Sequence, residues 1–352
     1  MAQDKDLKTP NVPPLRFPGF TDKWKESTIG NVVKIGNGRD YKHLGNGSIP
    51  VFGTGGYMTS VDDYLYDGET VFIGRKGSID KPFYFSGKFW TVDTLFYTYD
   101  FNGVIPKFLY SIFQRINWKK YNEASGVPSL SKATIEKIKF KYPLSPEQDK
   151  ISRLLSLIDE RIATQNKIID NLQSLIKGLA KTFTHHGEPN SRISDCLECH
   201  TSTLQEGALN EDGKYLVYGA SGVVGFLDDY RCDKDSILII KDGSGAGTVS
   251  YATGEYSVIG TLNYLTAKSG YSLKYLYFCL MSFNFEQFKT GMAIPHIYFR
   301  DYGQAKIYCP SIEEQEHIAK ALTIIENKLN IESRLLKSLY MEKQYLLNNM
   351  FR

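Results

Sequence analysis

The sequence predicts an α+β protein: two similar mixed α/β domains separated by a long antiparallel two-helix coiled coil and related as a pseudo-twofold tandem repeat. Three observations predict it. The chain matches itself at a constant offset, each copy closes on a helix with heptad patterning, and the remainder reads as short strands between Gly, Asp and Asn turns.

The repeat is visible in "VFGTGGYMTSVDDY" (Val51–Tyr64) and "VYGASGVVGFLDDY" (Val217–Tyr230), which align 166 positions apart. Gly77-Ser78 meets Gly243-Ser244 at the same offset. After a one-residue slip, Thr94-Leu95 meets Thr261-Leu262, Pro128 meets Pro295, Pro143 meets Pro310 and Glu147-Gln148 meets Glu314-Gln315. The expected organisation is an N-terminal segment (1–20), a first domain (21–145), a spacer helix (146–186), a second domain (187–310) and a second spacer helix (311–352).

Within the domains, Thr70–Gly74, Phe89–Tyr99, Ser236–Ile240 and Tyr256–Ala267 read as strands, and Pro106–Tyr121 and Ser272–Phe288 as helices. The first spacer helix opens after Pro143, with Ser145 as N-cap and acidic residues in its first turn. Apolar residues then step by four and three from Ile151 to Phe183, interrupted at Gln165. The second helix repeats the seam from Ile318 to Met350, with Glu332 where Gln165 stood and Lys343 as a further polar residue. Two such seams are expected to pair with each other. A helix of this length spans about 55 Å, so the second must run back along the first. Gln165 and Glu332 then fall near mid-helix, where they are expected to pin the register.

Composition limits the function classes. Hydrophobic residues make up 42% and charged residues 23%, as in an ordinary globular chain. No apolar run approaches the ~18 residues of a membrane span and no signal-peptide pattern is present. Five Cys without framework spacing suit reduced thiols, so a cytoplasmic location is expected and no membrane partner. Residues 21–145 carry 17 Lys/Arg against 12 Asp/Glu, a net of +5, whereas residues 187–310 carry 10 against 14, a net of −4.

No catalytic set can be assembled. "FGTGG" resembles a fragment of a cofactor loop without the strand-then-helix context, and its copy "YGASG" keeps only two of the glycines, so both read as turns between strands. There is no Walker lysine motif. "NVPP" (Asn11–Pro14) only approximates a methyltransferase tetrapeptide, and "CLECH" (Cys196–His200) lacks a second close pair for zinc. No metal site is expected, and no cofactor in this chain. What remains is a set of polar, glycine-flanked loops at equivalent places in the two copies. Their Arg, Lys, Ser, Thr, His and Gln side chains are of the types that reach phosphates and base edges. The candidate DNA-binding residues are Arg39, Lys42, His43, Arg75, Lys76, Ser129 and Lys132 in the first domain, with Thr203, Lys241, Ser244, His296, Tyr298 and Arg300 in the second.

Over essentially its full length the chain resembles the specificity subunits of type I restriction–modification systems. The carriers are "PLRFPGFTDKW" (Pro14–Trp24), the two Gly…Asp-Asp-Tyr segments, "PLSPEQDKISRLLSLIDERI" (Pro143–Ile162) and "PSIEEQEHIAKALTIIENKL" (Pro310–Leu329). The resemblance implies that each domain is a target-recognition domain reading one half of a bipartite double-stranded DNA sequence, while the helices fix the gap. It implies two modification subunits that bring AdoMet and methylate adenine at N6, and two restriction subunits with ATP- and Mg-dependent translocase and nuclease activity. The chain by itself would be a non-catalytic subunit. Alternatives left open are a methylation-only assembly without the nuclease, a stand-alone methyltransferase using the glycine loop, and a duplicated coiled-coil scaffold that does not touch DNA.

Overall fold

A computed structural model describes residues 12–351; residues 1–11 of the N-terminal segment, including Asn11 of the NVPP tetrapeptide, and Arg352 lie outside them. The described residues fall into two compact units, one of residues 12–165 with 335–351, the other of residues 166–334.

The first unit contains β1 (Lys34–Asn37), β2 (Asn46–Gly53), β3 (Gly56–Val61), β4 (Tyr66–Gly74), β5 (Phe83–Thr91), β6 (Leu95–Tyr99), α1 (Pro106–Arg115) and the start of α2 (Ser145–Thr184). These six strands form one sheet in the order β1-β6-β4-β5-β2-β3. All contacts are antiparallel except β2 with β5, where Val51 faces Trp90 and Phe52 faces Thr91. The predicted strand Phe89–Tyr99 is therefore two strands. β5 ends at Thr91 beside β2, the chain turns through Val92–Thr94, and β6 returns beside β4. Pairing with different neighbours, not propensity, imposes the break.

The second unit contains β7 (Leu197–Thr201), β8 (Tyr215–Gly219), β9 (Gly222–Leu227), β10 (Ser236–Ile240), β11 (Val249–Ala252), β12 (Tyr256–Val258), β13 (Leu262–Ala267), α3 (Leu273–Met281) and most of α4 (Ile312–Asn349). Its strands run β7-β13-β10-β11 and β12-β8-β9, the same order with one strand cut in two. The cut falls at Gly254, whose φ of +76° ends β11; the equivalent Gly87, at φ +123°, is carried inside the unbroken β5 opposite Gly68. Here too the predicted Tyr256–Ala267 is two strands, β12 beside β8 and β13 beside β10.

The glycine-rich stretches are hairpin turns, as their sequence suggests. Gly53 faces Gly56 across Thr54-Gly55, and Gly219 faces Gly222 across Ala220-Ser221. Gly56 and Gly222 have φ of +102° and +99°, a region side chains disfavour. The predicted domain helices are shorter than expected. α1 stops at Arg115 and a 3₁₀ turn follows at Trp118–Tyr121; α3 stops at Met281 before a 3₁₀ turn at Glu286–Phe288.

Each unit's core is completed by the long helices. Ile151 and Leu155 from the start of α2, with Leu347, Met350 and Phe351 at the chain's end, join Phe108, Phe113 and Trp118. In the second unit, Ile176 and Ala180 from the end of α2 meet Ile318, Ala319 and Leu322 from the start of α4, over Tyr275, Phe278 and Tyr302. Start against end in both units is antiparallel pairing. The seam continues through Ile158 and Ile162 against Leu336, Leu339 and Leu346. Lys343, the polar residue on the second seam, forms a 2.5 Å ion pair with Asp159. Among the described residues no helix is long and apolar enough to cross a membrane.

The repeated Glu-Gln pair acquires a structural meaning at Gln. Gln148 is buried, accepts from the Ile105 amide (2.9 Å) and donates to the carbonyls of Gly103 (2.8 Å) and Pro143 (2.9 Å). Gln315 accepts from the Ser272 amide (3.0 Å) and donates to Pro310 O (2.8 Å). Each Gln thus satisfies the backbone where a domain helix meets its long helix. Gln148→Leu leaves an amide and two carbonyls to find other partners, and is expected to lower stability by about 2–3 kcal/mol. Denaturant unfolding checks this, and a loss below about 0.5 kcal/mol would remove the pin.

Two further constellations link each domain to its helix. Tyr84 donates to Glu69 with Lys107 Nζ 5.5 Å from its ring. Tyr251 donates to Asp235 (3.2 Å) with Lys274 Nζ 4.0 Å from its ring. Lys274 also pairs with Glu326 of α4 at 2.7 Å, whereas Asp159, at the matching place on α2, takes Lys343 instead.

Candidate nucleic-acid interface

In both domains the polar loops are gathered by one hydrogen-bond pattern. In the first, the Arg75 amide donates to Thr94 O (2.7 Å), Gly77 N to Pro128 O (2.9 Å) and Leu130 N to Arg75 O (2.9 Å). In the second, Lys241 N donates to Thr261 O (3.0 Å), Gly243 N to Pro295 O (2.9 Å) and Ile297 N to Lys241 O (2.9 Å). Every member recurs at 166 or 167 positions. The loop after the central strand is thereby clasped to the proline loop, with Lys76 bridged to Ser129 and Asp242 to His296. Gly77 and Gly243, at φ +89° and +99°, permit the turn.

The clasp brings Arg75, Lys76, Ser129 and Lys132 to one concavity of about 490 Å³, lined also by Asn37, Phe96 and Glu123. The Arg75 guanidinium is steered by a 3.3 Å bond to Asp93 O and lies 6.0 Å from the Phe96 ring. Lys132 is 3.6 Å from Glu136. Glu123 was not visible as a site residue in the sequence. Hydroxyls of Thr134 and Ser131 hold its carboxyl below the usual carboxylate range. A carboxylate there repels phosphate and accepts from a base amine.

Arg39, Lys42 and His43 do not line this concavity but sit on the loop beside it. Arg39 N donates to Thr91 O (2.8 Å), Trp90 Nε1 donates to Arg39 O (2.9 Å), and the His43 ring meets Trp90 edge-on at 5.8 Å. That loop is thus tied to the segment ending at Thr94, on which Arg75 rests. Lys42 is exposed, its amide donating to Asp40 Oδ1.

In the second domain Thr203 is exposed next to Leu204, whose carbonyl accepts from Gly260 N (2.8 Å) one residue before the Thr261 contact of Lys241. Ser244 is exposed on the clasped loop. His296 Nδ1 lies 2.8 Å from Asp242 Oδ1, so the acid that replaces Lys76 is partnered inside the clasp. Arg300 stands 4.9 Å over the exposed Tyr298 ring, three-quarters in solvent and 3.5 Å from Asp301. Stacked in this way, the pair presents an aromatic face and a guanidinium together.

The loop tips carry apolar residues the polar search passed over. Val127 and Ile294, each just before the clasped proline, are 67% and 58% exposed. The "CLECH" residues go elsewhere. Cys196 Sγ lies 3.7 Å from Cys309 Sγ, bringing together two thiols that are remote in sequence. Burial pushes the Cys199 thiol up to about 11, and His200 bonds Thr266 while stacking on Tyr264.

The family model described as the type I restriction modification DNA specificity domain matches the chain twice, over residues 21–174 and 190–340. The chain is similar to the specificity subunit of the type I restriction enzyme MjaVIII of Methanocaldococcus jannaschii, 24% identical over 334 residues that cover 81% of this chain and 76% of that one. Its fold is similar to that of the type I restriction–modification S subunit of M. genitalium, with a TM-score of 0.72 over 97% of this chain and 99% of that chain at 18% identity. A chain in a structure of a type I R-M system matches with a TM-score of 0.51 at 14% identity over 94% of this chain and 97% of that one. Twice matched and twice clasped, the chain belongs to the type I restriction–modification DNA specificity family, as a specificity subunit.

Proposed function

We propose that each clasp reads one half of a bipartite double-stranded DNA target. The duplicated clasp carries this reading: two unlike sequences are held in one backbone arrangement, which leaves the side chains at its surface free to differ with the half-site. In the first domain the net of +5 adds backbone attraction. In the second, with a net of −4, partners supply much of it.

The paired helices fix the gap between half-sites and hold two modification subunits and, through them, two restriction subunits. Chemistry resides in those partners in the cytoplasm, which bring AdoMet, ATP and Mg; this chain contributes recognition alone. Co-expression with a modification subunit, followed by single-molecule mapping of methylated adenines, is expected to yield one bipartite motif with a fixed gap. A stable complex that methylates nothing would overturn the reading.

Gln165 and Glu332 serve in this scheme as register pins. Both are buried on their helices, Glu332 with Lys328 as an ion-pair partner. Burying polar groups on a seam sacrifices stability for a defined alignment. Gln165→Leu is expected to add a second gap length to the mapped motif; a single unchanged gap would remove the role.

A further inference from the structure

Beside each clasp, an apolar side chain projects into water from a closed loop. In the first domain Asn122 closes the loop, its Oδ1 accepting from Ala124 N (3.1 Å) and Ser129 N (2.9 Å), while Glu123 N donates to Ser129 O (3.0 Å). In the second, Thr290 and His296 exchange both backbone hydrogen bonds, at 2.8 and 2.7 Å. Val127 and Ile294 stand on these loops 167 positions apart, each followed by the proline whose carbonyl accepts from the clasp glycine. A single exposed apolar residue needs no explanation. An exposed β-branched residue at the same place in two otherwise divergent loops does. Met292, also exposed, has the polar Ser125 as its counterpart and is not part of the pattern.

Resting on the reading that the clasps face DNA, we propose that Val127 and Ile294 are specificity residues, each packing on the C5-methyl of a thymine in the half-site its own domain reads. The major-groove edge of a base pair offers donors, acceptors and one apolar feature, the thymine methyl. Val127 precedes the proline clasped to the loop of Arg75 and Lys76, and Ile294 the proline clasped to the loop of Lys241. An apolar tip beside a cationic, hydrogen-bonding loop suits a polyanion that carries a methyl. β-Branched side chains present two carbons with little rotamer freedom to lose.

The test uses the chain assembled with its modification subunit and duplexes of the mapped target. Each thymine is replaced in turn by deoxyuridine, which removes only the methyl. One thymine per half-site is expected to lose about fourfold in affinity on replacement, the worth of about one buried methyl. Val127→Ser should erase that sensitivity in one half-site and Ile294→Ser in the other, with unchanged melting, since both side chains are exposed. The inference is overturned if no thymine is methyl-sensitive or if the variants keep the sensitivity. It is also overturned if they only weaken retention of the modification subunit. Arg75→Ala separates the two levels. If it alters a half-site while Val127→Ser does not, only the thymine contact falls; if neither alters one, the clasp is not the reader.

Discussion

Arg75→Ala is expected to relax or abolish recognition of one half-site and leave the other fully readable. Arg75 is only half-exposed, and its backbone is held on both sides, by Thr94 through its amide and by Leu130 through its carbonyl. Its guanidinium is aimed by Asp93 O and the Phe96 ring, so little side-chain entropy remains to be lost on binding. A guanidinium so placed can engage guanine O6 and N7 together, and a good bidentate pair gives about 1–3 kcal/mol of discrimination. At the upper end, the loss is roughly a hundredfold at one base position. Lys76, exposed on the same loop, is expected to contact phosphate. Lys76→Ala should weaken binding evenly across sequences and lessen its salt dependence by about one unit of slope. Lys241 holds the Arg75 place in the second domain, so Lys241→Ala should act on the other half-site. Methylated-adenine mapping reads Arg75→Ala and Lys241→Ala, a salt titration of DNA binding reads Lys76→Ala, and an unchanged motif from Arg75→Ala would remove it from the interface.

The division of labour inside the duplicated elements explains what could be read from the sequence. Periodicity alone marked the long helices, because a two-helix seam demands apolar residues at fixed steps from Ile151 onward. The hairpin glycines were legible because positive φ at Gly56 and Gly222 tolerates little else. The breaks at Val92–Thr94 and Ile259–Thr261 were not legible, since each half of the apparent strand is apolar and β-prone. Only the choice of neighbour, β2 or β4 and β8 or β10, separates them. Gln148 and Gln315 looked like ordinary first-turn residues; their burial depends on Ile105 and Ser272 arriving from 43 residues away. Of the first-domain candidate site residues, Arg75, Lys76, Ser129 and Lys132 share a concavity, whereas Arg39, Lys42 and His43 lie outside it. Glu123 lines that concavity and the apolar tips stand beside the clasps, but a search for cations and hydrogen-bonding side chains passes over acids and aliphatics. The His296–Asp242 pair was invisible for another reason, as it joins two loops 54 residues apart.

Arg16→Ala is expected to lower stability by about 3–5 kcal/mol. Arg16 Nε and Nη2 each donate to one carboxylate oxygen of Glu147 at 2.7 Å, and Nη2 also reaches Asp22 O at 2.8 Å. The two side chains are only 12% and 2% exposed. Glu147 sits in the first turn of α2, where the helix terminus favours negative charge, and its hydrogen bond holds the guanidinium above its ordinary value. Removing the arginine leaves a buried carboxylate with no cation, the costly half of breaking a buried pair. The loss should spread along the segment around Arg16. Leu15 N bonds Asn349 O, Phe17 and Phe20 lie under Lys150, and Trp24 packs edge-on to Phe108 and Phe351. The second copy provides the control. Glu314, the repeat partner of Glu147, is exposed, so Glu314→Ala should change stability by no more than about 0.5 kcal/mol. Replacing both members, as Arg16→Met with Glu147→Leu, should recover most of the deficit, because an apolar pair carries no desolvation debt. Denaturant midpoints for the two single variants and the double one decide it. If Arg16→Ala and the double variant lose equally, the segment acts by packing and the ion pair contributes nothing of its own.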